Sequence, residues 1–246
     1  MSPHPIPSLS GFNPIMSRRV LFGGATAVAA AGVLSACGSS SSKTEHKASE
    51  TPLYEINEQD PSKLKQGGTL NLSTYSLGPD FNRFSQNGSS TSVSETMGII
   101  AGAGIWRSTY KGEDELDPNY CLGFEAKEVD GKITAEVRLN PKGVFNDGTP
   151  IDIDALKATW QIQRDPDGEY KIGAAGIYEF IESVEAIDGD RYHARVVFKT
   201  AHNPVKGLLF GGILHPAMLD VNLFNEGFVD NPHPELGCGP FTLAPN

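Results

Sequence analysis

The chain has 246 residues, of which 39% are hydrophobic and 20% charged, and this length allows one or two globular domains. Its 30 acidic residues outnumber its 20 basic ones, and the net charge of −10 argues against nucleic acid as a partner. Three cysteines are too few for a disulfide-rich scaffold. No apolar run is long enough for a protein that crosses a membrane several times.

The first part of the chain has the pattern of an export signal. Arg18 and Arg19 precede a run of uncharged, mostly small or apolar residues, as in the basic and apolar regions of a signal peptide. The order Ser-Arg-Arg-Val-Leu-Phe resembles a twin-arginine export motif. We therefore predict that residues 1–36 are a signal peptide, translated from Met1 or from Met16.

The apolar run ends in Leu-Ser-Ala-Cys, in which the cysteine is Cys37. This order resembles the bacterial lipobox, where small residues precede the cut and the cysteine thiol carries the lipid. An ordinary signal peptide with an incidental cysteine is the alternative. Acylation, for example by palmitate, would anchor the protein to the membrane, and stable anchoring generally requires more than one acyl chain. Residues 37–66 then form a flexible polar tether, and the folded part is 67–246.

Two sites predict β-hairpins. Asp130-Gly131 separates two runs in which apolar and polar residues alternate, and residues 188–190 (Asp-Gly-Asp) separate two more. Asp-Gly between alternating runs is the strongest short-range hairpin signal. Each hairpin should cover a core with one face and contact water with the other.

A helix is predicted between the two hairpins. Asp152 can cap its first turn, and Ile153, Leu156 and Trp160 share one apolar face. The run 164–168 (Arg-Asp-Pro-Asp-Gly) ends the helix and is interpreted as a turn.

The remaining elements have weaker patterns. Alternation predicts a strand over 69–75, small polar residues predict a loop over 85–92, and a glycine-interrupted helix is expected over 93–105. Residues 216–224 are predicted to be a short helix, and 240–243 the start of a strand.

A search for catalytic chemistry finds no nucleophile elbow, zinc-binding histidine pair, Cys-x-x-Cys pair or phosphate loop, so neither an enzyme nor a cofactor is predicted. His202, His215 and His233 lack the spacing of metal ligands. Cys121 and Cys238 are either buried free thiols or a disulfide.

Four aromatic residues flank the polar 85–92 loop. Phe81, Phe84, Trp106 and Tyr110 are therefore candidates for lining a pocket. Packing in the core is the alternative for each of them.

Four segments together point to a known family: GGTLNLS from Gly67, GVFNDGTPIDIDALKATW from Gly143, IESVEAIDGDRYHARVVF from Ile181 and GCGPF from Gly237. In this order they resemble the family 5 extracellular solute-binding proteins of ABC importers, which are oligopeptide- and dipeptide-binding lipoproteins. The second segment is the most specific. Asn146 and Cys238 depart from the family pattern, in which His and Thr are usual.

The resemblance implies an α/β, periplasmic-binding-protein-like fold of type II, cluster C. Two lobes would close on a ligand between them, and the first would carry an inserted subdomain over about 85–200. Family members are considerably longer, so this chain is expected to hold the first lobe and to lack the second.

The resemblance also implies a function. The protein would be an extracytoplasmic component that captures peptides and delivers them to an ABC permease and its ATPase. A nickel complex, a sugar oligomer or haem is the alternative solute, and a truncated remnant without function is the alternative protein. The loop after the first strand would face the ligand cleft through Gln86, Asn87, Gly88, Ser89 and Ser90, unless it is a plain solvated loop.

Overall fold

The computed structural model describes residues 57, 59–65, 67–69, 71–76, 78–102, 104–201, 205–239 and 241. The predicted signal peptide with Arg18 and Arg19, the predicted lipidation site Cys37 and His202 lie outside these residues. So does most of the strand predicted over 240–243. None of the helices in the described part is long and apolar enough to cross a membrane.

A four-stranded antiparallel sheet forms the largest element of the described chain. Its strands are Cys121–Val129 (β3), Lys132–Leu139 (β4), Ile181–Ile187 (β5) and Asp190–Phe198 (β6). They lie side by side in the order β3-β4-β6-β5. β3 and β4 form the first predicted hairpin, and β5 and β6 form the second. The two hairpins join through β4 and β6, where Val137 pairs with Ala194.

The hairpin turns follow from their sequence. Asp130 and Gly131 have φ values of 51° and 77°, and Asp188 and Gly189 have values of 53° and 76°. A two-residue hairpin turn of type I′ requires positive φ at both central residues, which Asp and Gly tolerate best. Both hairpin predictions are confirmed.

The core lies on one face of this sheet. Along β4, Ile133, Ala135, Val137 and Leu139 are buried and alternate with more exposed residues. The helix α2, Ile153–Gln163, packs against β5 and β6. The alternation and the helical spacing therefore place apolar side chains on facing surfaces.

The start of α2 is fixed by Asp152, as predicted. Its carboxylate accepts a hydrogen bond from the Asp154 N–H at 2.9 Å and also pairs with the Arg191 guanidinium on β6. Leu156 is fully buried, while Trp160 is only partly buried. The carboxylate thus caps the helix and ties it to the sheet.

Two further elements precede the sheet. The helix α1 spans Thr91–Ala101, and the short strands Trp106–Ser108 (β1) and Asp114–Leu116 (β2) pair antiparallel. α1 ends before Gly102, earlier than predicted. A Cβ atom at Gly102 would lie 2.5 Å from the carbonyl oxygen of Gly98, so the chain turns closely against the helix here.

The predicted helix over 216–224 is divided. A 3₁₀ helix covers Pro216–Leu219, and a turn of π-helix covers Leu223–Gly227. Met218 and Phe224 belong to a second buried cluster, which packs beside Ile162 of α2.

The strand predicted over 69–75 is absent from the described residues of that segment, 69 and 71–75. Leu72 is 63% exposed, and Tyr75 is fully exposed. A strand requires a hydrogen-bonded partner and a surface to cover, and no described residue pairs with this segment. Alternation alone therefore predicted the wrong structure.

Candidate functional site

The loop predicted to bind ligand is built on a buried polar anchor. The Ser85 hydroxyl donates to Asp80 Oδ2 at 2.7 Å and accepts from the Gly88 N–H at 2.9 Å. Asp80 and Ser85 are both buried. A Cβ atom at Gly88 would lie only 2.2 Å from the carbonyl oxygen of Asn82. Gly88 therefore shapes the loop and offers no side chain to a ligand.

The other four predicted residues lie on the exposed side of the loop. The Ser90 hydroxyl caps α1 by accepting from the Val93 N–H at 3.3 Å, and Ser89 donates to the Gln86 carbonyl oxygen at 3.3 Å. The side-chain carboxamides of Gln86 and Asn87 make no hydrogen bond to any described side chain or backbone group. Their role in ligand binding stays a prediction.

Two neighbouring segments hold the loop from both sides. The Gln86 N–H donates to the Lys171 carbonyl oxygen at 2.7 Å, and the Phe81 N–H donates to the Phe228 carbonyl oxygen at 3.1 Å. The first bond fixes the start of the loop and the second fixes the chain just before it, so the entry to the loop is held in place before any ligand arrives.

A small cavity of about 40 Å³ lies beside the loop. Mostly apolar residues line it together with a few polar ones: Phe81, Asn82, Arg83, Phe84, Met97, Ile213, Leu214, His215, Met218, Phe228, Pro232, His233, Leu236 and Gly237. The prediction that Phe81 and Phe84 line a pocket is confirmed. Trp106 instead lines a separate surface depression with Leu116, and Tyr110 is exposed.

Arg83 is the charged group of this cavity that the sequence analysis missed. Its guanidinium carbon lies 4.5 Å from the centre of the Phe84 ring. A Cβ atom at Gly212 would lie 3.0 Å from its Nη2 atom, and one at Gly98 would lie 3.6 Å from Nη1. Burial lowers the pKa of Arg83, partly opposed by the charges of Cys238 and Tyr178. A single arginine in a polar loop carries no motif that could have indicated this position.

Two histidine–carboxylate pairs lie at the edge of the cavity. His215 Nε2 lies 3.1 Å from Asp147 Oδ2, and His233 Nδ1 lies 2.7 Å from Glu235 Oε1. Burial raises the pKa of Asp147, but the hydrogen bonds from Thr149 and the neighbouring His215 outweigh it, so this pKa is lowered overall. The pKa of Glu235 is likewise lowered: burial raises it, but the hydrogen bonds from His233 and from the Glu235 backbone N–H, together with the charge of His233, outweigh the burial.

These pairs accompany a backbone connection between two distant segments. The Asn146 N–H donates to the Gly237 carbonyl oxygen at 2.8 Å, and the Asp147 N–H donates to the Glu235 carbonyl oxygen at 3.0 Å. In the described part of the chain, no group of three or more His, Cys, Asp or Glu residues could hold a metal ion. His215 and His233 instead each contact a single carboxylate.

The two described cysteines are buried thiols that form no disulfide. Burial raises the pKa of Cys121. The Tyr120 hydroxyl donates to the Cys238 carbonyl oxygen, and burial raises the pKa of Tyr120 to about 12. Of the two interpretations of this cysteine pair, the free thiols are confirmed.

Comparison with known proteins gives sequence relatives but no matching family model. Over 231 residues the chain is 29% identical to the oligopeptide-binding protein OppA of Mycobacterium tuberculosis. The aligned region is 89% of this chain but 38% of that protein. The same identity and coverage hold for OppA of Mycobacterium bovis. The chain thus spans well under half the length of the curated relatives it matches.

Solved structures of solute-binding proteins also match this chain. The periplasmic EDTA-binding protein EppA matches with a TM-score of 0.60 at 20% identity, over 69% of this chain and 32% of that one. Listeria monocytogenes OppA bound to peptide matches with a TM-score of 0.55 at 17% identity, over 72% and 36%. NikZ from Campylobacter jejuni in complex with Ni(L-His) matches with a TM-score of 0.51 at 19% identity, over 67% and 30%.

The fold is that of a periplasmic binding protein. The prediction of a periplasmic-binding-protein-like α/β fold is therefore confirmed, over about a third of each solved neighbour. The proposed boundaries of the inserted subdomain, about 85–200, enclose α1, α2 and the six strands found among the described residues, and they stay a prediction.

Proposed function

We propose that this chain is part of the extracytoplasmic solute-binding component of an ABC importer and that this component captures peptides. The observation that carries the proposal is the similarity to oligopeptide-binding OppA over 231 residues. The activity would be binding without catalysis, and the partners would be a permease, its ATPase and the captured solute. These assignments concern the whole protein, because this chain spans 38% of the length of the OppA relative.

The 86–90 loop supports a peptide ligand. The exposed carboxamides of Gln86 and Asn87 each offer hydrogen-bond donors and an acceptor, which match the alternating groups of a peptide backbone. Backbone-directed hydrogen bonds do not depend on the side chains of the peptide, so they suit uptake of many sequences. The backbone connections to Lys171 and Phe228 keep the loop in place without a ligand.

A non-peptide solute is the second candidate. It is favoured by EppA, named for EDTA binding, and NikZ, solved with a nickel–histidine complex, which match the described fold with TM-scores of 0.60 and 0.51. A fold that accepts these solutes in its relatives does not by itself select peptides here.

The anchored location is the third part of the proposal. Arg18 and Arg19 would direct twin-arginine export, and Cys37 would carry the acyl chains of a membrane anchor. The test is the intact mass of the protein extracted from its native membrane. We expect a chain beginning at Cys37 with added acyl mass; an unmodified N-terminus would contradict the anchor.

The ligand test uses the full-length protein and three probes: a pool of short random peptides, EDTA loaded with a metal ion, and nickel with L-histidine. Calorimetric titration should detect binding of one probe class and no heat with the other two. If none of the three binds, the proposed solute classes are wrong.

The loop is tested with the double variant Gln86→Ala, Asn87→Ala, because these residues do not shape the loop. Loss of two hydrogen bonds should weaken binding by about tenfold. Gln161→Ala is the matched control, since Gln161 is an exposed carboxamide on α2. Equal affinity of both variants would show that the loop does not contact the solute.

A further inference from the structure

The guanidinium of Arg83 is a partly buried cation that pairs with no carboxylate of the described residues. Among the described residues it forms no hydrogen bond and no ion pair. It stacks instead on the Phe84 ring, with its central carbon 4.5 Å from the ring centre. By contrast, Arg107 pairs with Glu115 at 3.2 Å on the surface, and Arg191 pairs with the buried Asp152. Arg138 and Arg164 also form no ion pair among the described residues, but both are exposed to solvent, whereas Arg83 is partly buried. Withdrawing an unpaired charge from water is costly, so the position of Arg83 requires a reason.

The surroundings hold this cation in one place. Its stem lies in a lining that includes the buried Met97 and Ile213. A Cβ atom at Gly212 would lie 2.6 Å from the Phe84 ring and 3.0 Å from Arg83 Nη2, so only glycine leaves room for the stacked pair. A guanidinium fixed by its face keeps its N–H groups at the edge, where they can bind an anion.

The carboxylates that contact the two histidines of the cavity are already engaged. Asp147 bonds to His215, and Glu235 bonds to His233. Neither forms an ion pair with Arg83, although His215 and His233 line the same cavity. The cation is therefore not neutralised from within the described part of the chain.

The cavity has the size of a terminal group. Its volume of about 40 Å³ has room for about three water molecules, while a carboxylate has three non-hydrogen atoms. A whole peptide cannot enter, but the end of one can, with the remainder lying outside the cavity. Gln86 and Asn87 lie three and four positions after Arg83, so both kinds of contact come from one short segment.

We propose that Arg83 is a carboxylate-binding residue, which holds the carboxylate of the captured solute through a two-pronged hydrogen bond. This inference rests on the proposed solute-binding function and adds a chemical class to it: the preferred solutes carry a free carboxylate. Low polarity around the guanidinium strengthens the pair, because few waters compete for its N–H groups. A side-chain carboxylate from elsewhere in the whole protein would form the same hydrogen bonds with Arg83. The experiment below distinguishes such an internal carboxylate from that of a solute.

The first experiment compares two probes on the full-length protein: a pool of tri- to pentapeptides with free carboxyl termini and the same pool amidated. The variant Arg83→Met keeps the apolar stem and removes the charge, and Arg107→Met is the exposed control. We expect Arg83→Met to weaken binding of the free-carboxyl pool by about 10- to 100-fold and to leave the amidated pool unchanged. Arg107→Met should change neither.

Other results overturn the inference. Equal affinity of Arg83→Met and the unchanged protein for the free-carboxyl pool would remove Arg83 from the site while leaving the solute-binding function in place. A loss of thermal stability without a loss of affinity would assign the guanidinium to a carboxylate of the protein itself. Arg83→Lys separates a folding defect from a binding defect, since it keeps the charge but lacks the fork.

The second experiment does not depend on which solute is bound. The side-chain N–H signals of Arg83 are followed by NMR as sodium propionate is added, with sodium chloride at equal ionic strength as the control. We expect a saturable shift with propionate that chloride does not produce and that Arg83→Met abolishes. Absence of the shift overturns the carboxylate site, whether or not a peptide binds elsewhere.

Discussion

His215 Nε2 lies 3.1 Å from Asp147 Oδ2, although the two residues are 68 positions apart in the chain. The other ring nitrogen of His215, Nδ1, accepts a hydrogen bond from the Ala217 N–H at 3.0 Å. Nδ1 therefore carries no proton in the neutral ring, and Nε2 donates to the carboxylate. One imidazole thus joins the loop before α2 to the segment that begins at Pro216.

Asp147→Asn should destabilise the protein through this contact. Asp147 accepts from the Thr149 N–H through Oδ1 and from His215 through Oδ2, and asparagine has one acceptor oxygen for these two positions. If that oxygen keeps the Thr149 N–H, the buried His215 N–H faces an NH₂ group and lacks an acceptor. The free energy of unfolding should fall by about 1–3 kcal/mol, as measured by urea denaturation. Glu182→Gln is the control, since Glu182 pairs with Lys132 on the surface and should contribute less than about 1 kcal/mol. A larger loss in the control would show that burial of the histidine is not the cause.

Acid should destabilise the protein through two carboxylates. The pKa values of Asp147 and Glu235 are lowered in the folded state, so the unfolded chain takes up protons first as the pH falls. Their contribution is complete above about pH 4.5 and is lost progressively below it. Both side chains are partly exposed, so the combined effect should stay near about 1 kcal/mol.

The measurement is the free energy of unfolding between neutral and acidic pH. The double variant Asp147→Asn, Glu235→Gln should be less stable at neutral pH and should approach the unchanged protein in acid. Two parallel curves would mean that these carboxylates do not cause the acid sensitivity.

Local sequence signals predict the local elements of this fold well. Asp-Gly turns predict both hairpins, and Asp152 with its apolar spacing predicts α2, because each signal acts within a few residues of its element. The order of the hairpins in one sheet is not a local property. It depends on the pairing of β4 with β6, which no turn residue specifies.

The errors have the same origin. Leu72 alternates with polar neighbours as in a strand, yet no described residue pairs with it, because pairing depends on distant chain segments. At the site, resemblance directed attention to the 86–90 loop, but Arg83 was missed. Its relevance arises from Phe84, Gly98 and Gly212 meeting around it, which spacing along the chain does not indicate.

Gly88→Ala should distort the candidate loop. The new Cβ atom would lie 2.2 Å from the Asn82 carbonyl oxygen, which is backbone and cannot move aside freely. We expect a loss of about 1–3 kcal/mol in the free energy of unfolding. Gly78→Ala is the matched control, since no atom lies within 4 Å of the Cβ position there. Equal stability of the two variants would contradict the close approach at Gly88.

The close packing at Gly88 also limits which loop variants can test ligand binding. A replacement of all residues from 87 to 90 would remove Gly88 and the Ser90 cap together, so weaker binding could follow from a distorted loop. Gln86 and Asn87 are the informative positions, because their side chains are exposed and hold nothing else in the described structure.

The thiols of Cys121 and Cys238 should be unreactive in the folded protein. They are 1% and 4% exposed, and burial raises the pKa of Cys121, which lowers its thiolate fraction. In a Cys37→Ser variant, an aromatic disulfide reagent should label neither thiol promptly, while denaturant should release both. Prompt labelling of either would show that the core around β3 opens readily. A lack of labelling even in denaturant would reveal a disulfide, contrary to the two free thiols described here.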